Sequence, residues 1–368
     1  MKNIVSFLLL IAAIYVTSCN SKDYNSVTKI NSDGSCSREF SSFMIDSAFM
    51  VGDTSKNPFP MKLDSSWKIS WTYSPNSGVR SYSNNWPLKR WNWNKDTSKH
   101  LTLSLIAKKQ YRNVEEMAKT FRYDNSDWNT IIPKISFEKK FRFFFTFYMY
   151  KEVYPKYNPL KLVPVEKYLT TAEIKTLYAD NPKFAPELNG AEIKEILDGI
   201  DKKKEEWFNR SIFEEMYRTI PKYLKLLKNS GVDSSRLFLA KDSIYNLIKE
   251  KSLKDDLSKA LNKYFKTSEF TKLDTLNKNN KEDEKVIELV VKPFSIHFKY
   301  HLLMPGKILQ TTSKQSHGDT LTWNLEPCRF FLTDYELIAE SRVANTWAFV
   351  VSAIFLIIVL GSFFIKRK

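Results

Sequence analysis

Trp67, Ile69, Trp71 and Tyr73 alternate with Lys68, Ser70 and Thr72, the period of two expected of a strand with one face buried. Residues 37–51 read as an earlier strand, and Leu101, Leu103 and Leu105 alternate with Thr102 and Ser104 as a later one. Asn113 then stands where a side chain caps a short helix, and Val114, Met117, Ala118 and Phe121 share a face of it. The stretch 137–154 is the most pronounced strand signal. Phe141, Phe143, Phe145, Phe147 and Met149 fall on one side, and the other mixes Arg142, Thr146 and Glu152 with Phe144, Tyr148 and Tyr150. That pattern predicts a central strand whose second face is partly covered.

Pro155, Pro159 and Pro164 end the strand signal, and the period changes to 3.6. Thr170 and Glu173 have capping-box spacing. Ile193, Ile196, Leu197, Ile200, Trp207 and Phe208 mark a helix before Pro221 and the Asn229-Ser230-Gly231 stop. Leu237, Ile244, Leu247, Ile248, Leu257, Leu261, Tyr264 and Phe265 continue the helical run, and a lysine-rich stretch over 272–285 closes it. Strand character returns at Val286. Phe294, Ile296, Phe298, Tyr300 and Leu302 alternate with Ser295, His297, Lys299 and His301, and Pro293 signals a bulge or an edge. Met304-Pro305-Gly306 reads as a turn, and 307–312 with 320–325 as a hairpin around Gly318-Asp319.

The order β, α, β predicts an α+β fold: a discontinuous β-rich domain, a curved sheet or sandwich, over 36–158 and 286–342, carrying a helical insertion over 159–285. The two ends add a membrane reading. Met1-Lys2-Asn3, an apolar run from Ile4 to Tyr15 and Val16-Thr17-Ser18 ahead of Cys19 have the form of a lipoprotein signal peptide over 1–18, with Cys19 acylated, for example by palmitate, and 19–35 as a tether. Residues 347–365 carry no charge and precede Lys366-Arg367-Lys368. A transmembrane helix over 343–365 with a cytoplasmic tail at 366–368 is therefore expected. Together these place the body on the extracytoplasmic, periplasmic side of the cytoplasmic membrane. In that oxidising space Cys36 and Cys328 are either a disulfide closing the ectodomain or two unrelated thiols.

Cys19 in its lipobox, Met304-Pro305-Gly306, Gly318 with Leu321 and Trp323, and the apolar C-terminal run closing on Lys366-Arg367-Lys368 together resemble the LppM-like envelope lipoproteins. The resemblance covers about a third of the chain. It implies a lipidated start, an exposed α+β domain, a C-terminal anchor and an envelope-associated role, lipid binding included, without established chemistry. The long helical insertion departs from that pattern.

Charge and candidate chemistry refine the picture. Of the formal +16, most sits in the first β segment, where Arg80, Lys89, Arg90, Lys95, Lys99, Lys108, Lys109 and Arg112 accompany Trp86, Trp91 and Trp93. Arg80, Trp86, Lys89, Arg90, Trp91 and Trp93 form a candidate patch for an anionic lipid or glycan, because amines meet charge and indoles sit at interfaces or stack on sugars. The alternative is a loop whose tryptophans serve the core and whose lysines provide solubility. No nucleic acid is expected as a partner of an exported body. No phosphate loop, nucleophile elbow or zincin motif is present. Of the four histidines, His297 and His301 lie roughly 13 Å apart by strand rise, too far to share a metal. Glu205, Glu206, Glu214 and Glu215 read as a solvated helix face. The sequence thus predicts no catalytic residue, no metal and no cofactor. It predicts a membrane-anchored lipoprotein with a non-enzymatic binding or scaffolding ectodomain for an anionic lipid, a glycan or an envelope protein. The alternatives are an envelope hydrolase with an unrecognised site and a structural subunit of a membrane complex.

Overall fold

The structure, a computed structural model, describes residues 22–43, 46–75, 81–90, 100–123, 132–178, 184, 186–227, 230–248, 253–280, 296–325 and 327–365. The chain divides into two units, one comprising 22–155, 297–326 and 334–368, the other 156–296 with 327–333 and the first 21 residues.

The β-rich unit holds two sheets. The larger contains β1 (Lys22–Ile30), β2 (Cys36–Ser42), β3 (Lys68–Pro75), β4 (Ser81–Ser83), β5 (His100–Tyr111), β8 (Ile296–Leu303), β10 (Gln315–His317) and β11 (Thr320–Leu325), in the order β10-β11-β8-β1-β2-β5-β3-β4. The smaller contains β6 (Lys134–Arg142), β7 (Phe145–Tyr154), β9 (Lys307–Thr311) and β12 (Tyr335–Ala344), in the order β6-β7-β12-β9. Short helices α1 (Ser47–Met50) and α2 (Val114–Thr120) are capped by Asp46 and Asn113, which satisfy amide groups that have no partner inside the helix. The core is aromatic: Phe40 stacks on Phe121 at 5.6 Å and meets Trp67, Tyr123 and Phe298.

Two elements differ from expectation. Residues 22–30, read as tether, form β1, paired in register with β2 from Tyr24 opposite Ser42 to Ile30 opposite Cys36. Its inward positions Tyr24, Ser26, Thr28 and Ile30 are buried, but three of the four carry hydroxyls, so hydropathy does not reveal the alternation. The stretch 137–154 is a hairpin, β6 turning at Phe143-Phe144 into β7. In β7 the face carrying Thr146, Tyr148, Tyr150, Glu152 and Tyr154 is buried, and the phenylalanine face is turned outward.

Among the described residues no helix is long and apolar enough to cross a membrane. The expected C-terminal transmembrane helix is corrected accordingly. A helix, α9, does form over Thr346–Ile365 and is uncharged.

The helical unit contains α3 (Thr171–Tyr178), α4 (Gly190–Tyr217), α5 (Ser234–Ile248), α6 (Leu253–Phe265), α7 (Lys272–Asn280) and α8 (Pro327–Leu332). Thr170 and Glu173 make the expected capping box, Thr170 N donating to Glu173 Oε2 at 2.8 Å and Glu173 N to Thr170 Oγ1 at 3.2 Å. Asn189 and Glu192 make another at the start of α4. One apolar cluster joins Phe213 and Tyr217 to Leu237, Ile244, Leu261 and Phe270. A second joins Leu160, Leu169, Ile200 and Trp207 to Phe331 and Leu332.

Candidate functional site

Period-two alternation in β2 sends Cys36, Arg38 and Phe40 inward, which places a guanidinium between the sheets. There Arg38 Nη2 meets Glu152 Oε2 of β7 at 2.6 Å, with Nη1 at 3.3 Å from Oε1. Arg38 Nε donates to Thr28 Oγ1 at 3.0 Å, and Nη2 lies 3.1 Å from the Tyr150 hydroxyl and 2.9 Å from that of Tyr300. Tyr150 and Tyr154 donate to the carboxylate at 2.5 and 2.9 Å, and Tyr300 donates to Thr28 at 2.8 Å. Burial pushes the Arg38 guanidinium down, and Glu152 with Tyr300, Tyr150 and Tyr154 outweighs it, so its net direction is upward. Burial and the Glu152 charge raise Tyr150 and Tyr154. Neither Arg38 nor Glu152 is exposed to solvent at all. With its ion pair and hydrogen bonds made in the solvent-inaccessible core, this cluster ties the sheets together.

Beside it lies a cleft of about 280 Å³ lined by Met61, Lys62, Asp64, Trp67, Lys109, Tyr111, Thr120, Phe121, Arg122 and Tyr123. β5 supplies Lys109 and Tyr111, and the pairing of β3 with β5 sets Lys68 opposite Lys108, which brings Trp67 alongside. Lys109 Nζ stands 5.4 Å from the centre of the Tyr111 ring and 5.9 Å from that of Trp67. It pairs with Asp64 at 3.3 Å while its side chain is only 16% exposed. Asp64 accepts from Ser66, through both its amide and its hydroxyl, and is held below the usual carboxylate range by that contact and by Lys109. Tyr111 is buried, and its hydroxyl has no hydrogen-bond partner among the described residues. Arg122 donates to the carbonyls of Ala118 and Phe121. The lining therefore joins aromatic walls to an excess of cations.

Of the candidate patch around residue 90, Trp86, Lys89 and Arg90 are described. Trp86 is half-buried, donates from Nε1 to the Phe49 carbonyl at 2.9 Å and packs on the Phe49 ring at 5.2 Å. Its indole serves local packing, the alternative the sequence left open. Lys89 and Arg90 are exposed. Arg80, Trp91 and Trp93 lie outside the described residues, as does Cys19. Cys36 is buried as a free thiol, raised to about 11 by burial, and the side chain of its expected partner Cys328 is outside the described residues.

A third feature is an aromatic rim at the β6–β7 turn. Phe141, Phe143 and Phe144 are exposed there, and so are Trp347 and Phe349 of α9. Phe141 stacks on Trp347 at 6.3 Å, Phe143 meets Trp347 edge-on at 5.3 Å, and Phe144 lies 5.0 Å from Phe349. Asn345 holds this arrangement. Its side-chain amide donates to the carbonyls of Arg142 and Phe143 at 2.8 and 3.1 Å, its Oδ1 accepts from Thr146 at 2.9 Å, and its backbone amide donates to the Phe144 carbonyl at 2.9 Å. Lys140 and Arg142 are exposed beside the rings. Farther along α9 Ile354, Phe355, Leu356, Ile357, Ile358 and Leu360 are exposed as well.

In the helical unit, the expected solvated face of α4 is corrected at its end. Glu214 is mostly buried between Arg210 at 2.6 Å and Lys241 at 2.9 Å, and Glu215 is buried against Arg218 at 2.8 Å, with its carboxyl raised by burial. Among the described residues no group of histidine, cysteine or acidic side chains has the arrangement of a metal site. His301 contacts Thr322 Oγ1 at 2.9 Å and is lowered by burial and by Lys299.

The cleft escaped the sequence reading as a site although Trp67 and Lys109 were both conspicuous in it. What joins them is strand register, which spacing does not encode. No protein-family model, curated protein or solved structure matches the chain.

Proposed function

We propose that this chain is an envelope lipoprotein, acylated at Cys19 on the extracytoplasmic side of a membrane, whose β-rich body is a non-enzymatic binding or scaffolding module lying against anionic lipid. The observation that carries this reading is the aromatic rim. Burying apolar surface is the main favourable term in folding, yet Phe141, Phe143, Phe144, Trp347 and Phe349 sit together in solvent. A contiguous apolar patch of this kind, bordered by exposed Lys140 and Arg142, suits the boundary between headgroups and acyl chains, where aromatic rings and basic side chains concentrate. The resemblance to LppM-like envelope lipoproteins points the same way.

Vesicle flotation tests the reading. The full chain with Cys19→Ser, which removes the acyl contribution, floats with phosphatidylglycerol vesicles more than with phosphatidylcholine vesicles. Phe143→Ser with Phe144→Ser weakens flotation by about tenfold or more, because each ring contributes on the order of 1 kcal/mol on leaving water. Flotation unchanged by the pair of substitutions removes the rim as the contact surface. Radiolabelled fatty acid incorporated by the wild-type chain and absent from Cys19→Ser tests the lipid anchor separately.

A further inference from the structure

We propose that the cleft walled by Trp67, Tyr111 and Phe121 is a binding site for a phosphate group, carried either by a soluble ester or by a lipid headgroup. Three cationic side chains, Lys62, Lys109 and Arg122, meet there against the single carboxylate of Asp64. That carboxylate is already engaged by Ser66 and Lys109, so the balance facing an entering group is positive. Lys109 is held nearly buried over two aromatic rings. An ammonium in that position is partly desolvated, and it interacts with an anion more strongly than a surface lysine does. Lys62 stands exposed at the rim with no ion pair or hydrogen bond among the described residues. The Tyr111 hydroxyl, buried and without a hydrogen-bond partner among the described residues, is a polar group of the kind that native structures rarely leave unsatisfied. A volume of about 280 Å³ lies at the lower edge of small-molecule sites. It admits a phosphate with a small organic substituent against the rings and excludes a whole folded partner.

The test is calorimetric titration of the full chain, carrying Cys19→Ser and held in mild detergent, with inorganic phosphate and with glycerol 3-phosphate, alongside flotation on phosphatidylglycerol vesicles. Saturable binding that weakens as salt rises is expected. Lys109→Met, which keeps the stem and removes the charge, lowers affinity tenfold or more, and Lys62→Gln lowers it several-fold. Lys62 is exposed, so Lys62→Gln keeps the test valid should Lys109→Met unfold, as monitored by circular dichroism. Binding of the soluble esters assigns the site to a free phosphate compound. Vesicle binding alone, reduced by Lys62→Gln, assigns it to a headgroup. No binding of any of the three probes, or wild-type binding by both variants, overturns the proposal. The cleft and the aromatic rim share no residue, so loss of flotation in the Phe143 and Phe144 variants leaves this assignment standing, and phosphate binding does not rescue the membrane reading.

Discussion

Arg38 and Glu152 stand 114 positions apart, on different sheets, and their charges meet at 2.6 Å with neither side chain exposed. A buried pair of this kind gains little over an apolar replacement, because desolvation offsets the attraction, but removing one partner strands the other. Arg38→Met therefore leaves a buried carboxylate held only by the Tyr150 and Tyr154 hydroxyls, and costs about 3–5 kcal/mol of stability. Arg38→Met with Glu152→Leu recovers at least half of that loss. Urea unfolding of the full chain in mild detergent measures both. A double variant as unstable as the sum of the two single ones would show that the pair contributes through something other than mutual compensation.

Gly306 gives a second stability test. Its φ is +78°, and a Cβ built there would overlap the Arg342 carbonyl oxygen and Val343 Cγ2 of β12. Gly306→Ala thus carries both backbone strain and a collision with backbone that cannot swing aside, and β9 is expected to part from β12 at a cost of about 3 kcal/mol or more. Gly34 has φ +96° with nothing within 4 Å. Gly34→Ala carries the strain alone, about 1–2 kcal/mol. Comparing the two urea midpoints separates collision from strain, and equal losses would contradict this account.

These two sites also mark where the sequence is legible. Alternation found β8, where Phe298, Tyr300 and Leu302 are all buried, because one strand facing one core needs only local information. The same rule does not say which face of β7 turns inward. Phe145, Phe147 and Met149 favour one side, yet the tyrosine side is buried, since Tyr150 and Glu152 find Arg38 of β2 and Tyr150 finds Tyr300 of β8 across the gap between the sheets. Those partners come from distant strands, so a count of apolar residues on one strand misjudges the balance. β1 hid for the same reason, its Thr28 facing inward to bond Arg38 and Tyr300. Helix capping, in contrast, spans three residues, and Thr170 with Glu173 was readable directly.

That cap makes stability depend on acid. Lys203 at 2.5 Å and the Thr170 amide and hydroxyl hold Glu173 down to about 2, from an ordinary 4.5. A carboxyl depressed on folding contributes its full stabilisation above its unfolded value, and the contribution is lost as pH falls through the folded one. The stabilisation from Glu173 is therefore complete above about pH 4.5 and fades toward pH 2. Glu173→Gln removes it at all pH values, costing about 1 kcal/mol at neutral pH. The wild-type advantage over Glu173→Gln in urea unfolding shrinks across that window. An advantage that stayed constant from pH 6 to about pH 2 would remove the ionised carboxylate as its source.

Asn345 offers the most discriminating test of the aromatic rim, because it acts on the rim without being part of its apolar surface. It bonds the Arg142, Phe143 and Phe144 backbone and Thr146 at once, which fixes the hairpin turn against the first residues of α9. Asn345→Ala keeps the backbone bond to Phe144 but leaves the Arg142 and Phe143 carbonyls to water, an exposed loss of about 1 kcal/mol, while every ring remains in place chemically. If the rim binds lipid as a preorganised surface, flotation on phosphatidylglycerol vesicles falls several-fold, because ordering Phe143 and Trp347 is then charged to binding. If the rings act merely as independent greasy side chains, Asn345→Ala floats as the wild type does while Phe143→Ser with Phe144→Ser still fails. Tryptophan emission on vesicle addition reads the same distinction, since the Trp347 ring lies against Phe141 and Phe143. A blue shift retained in full by Asn345→Ala would mean that the hydrogen bonds shape the turn without serving the contact.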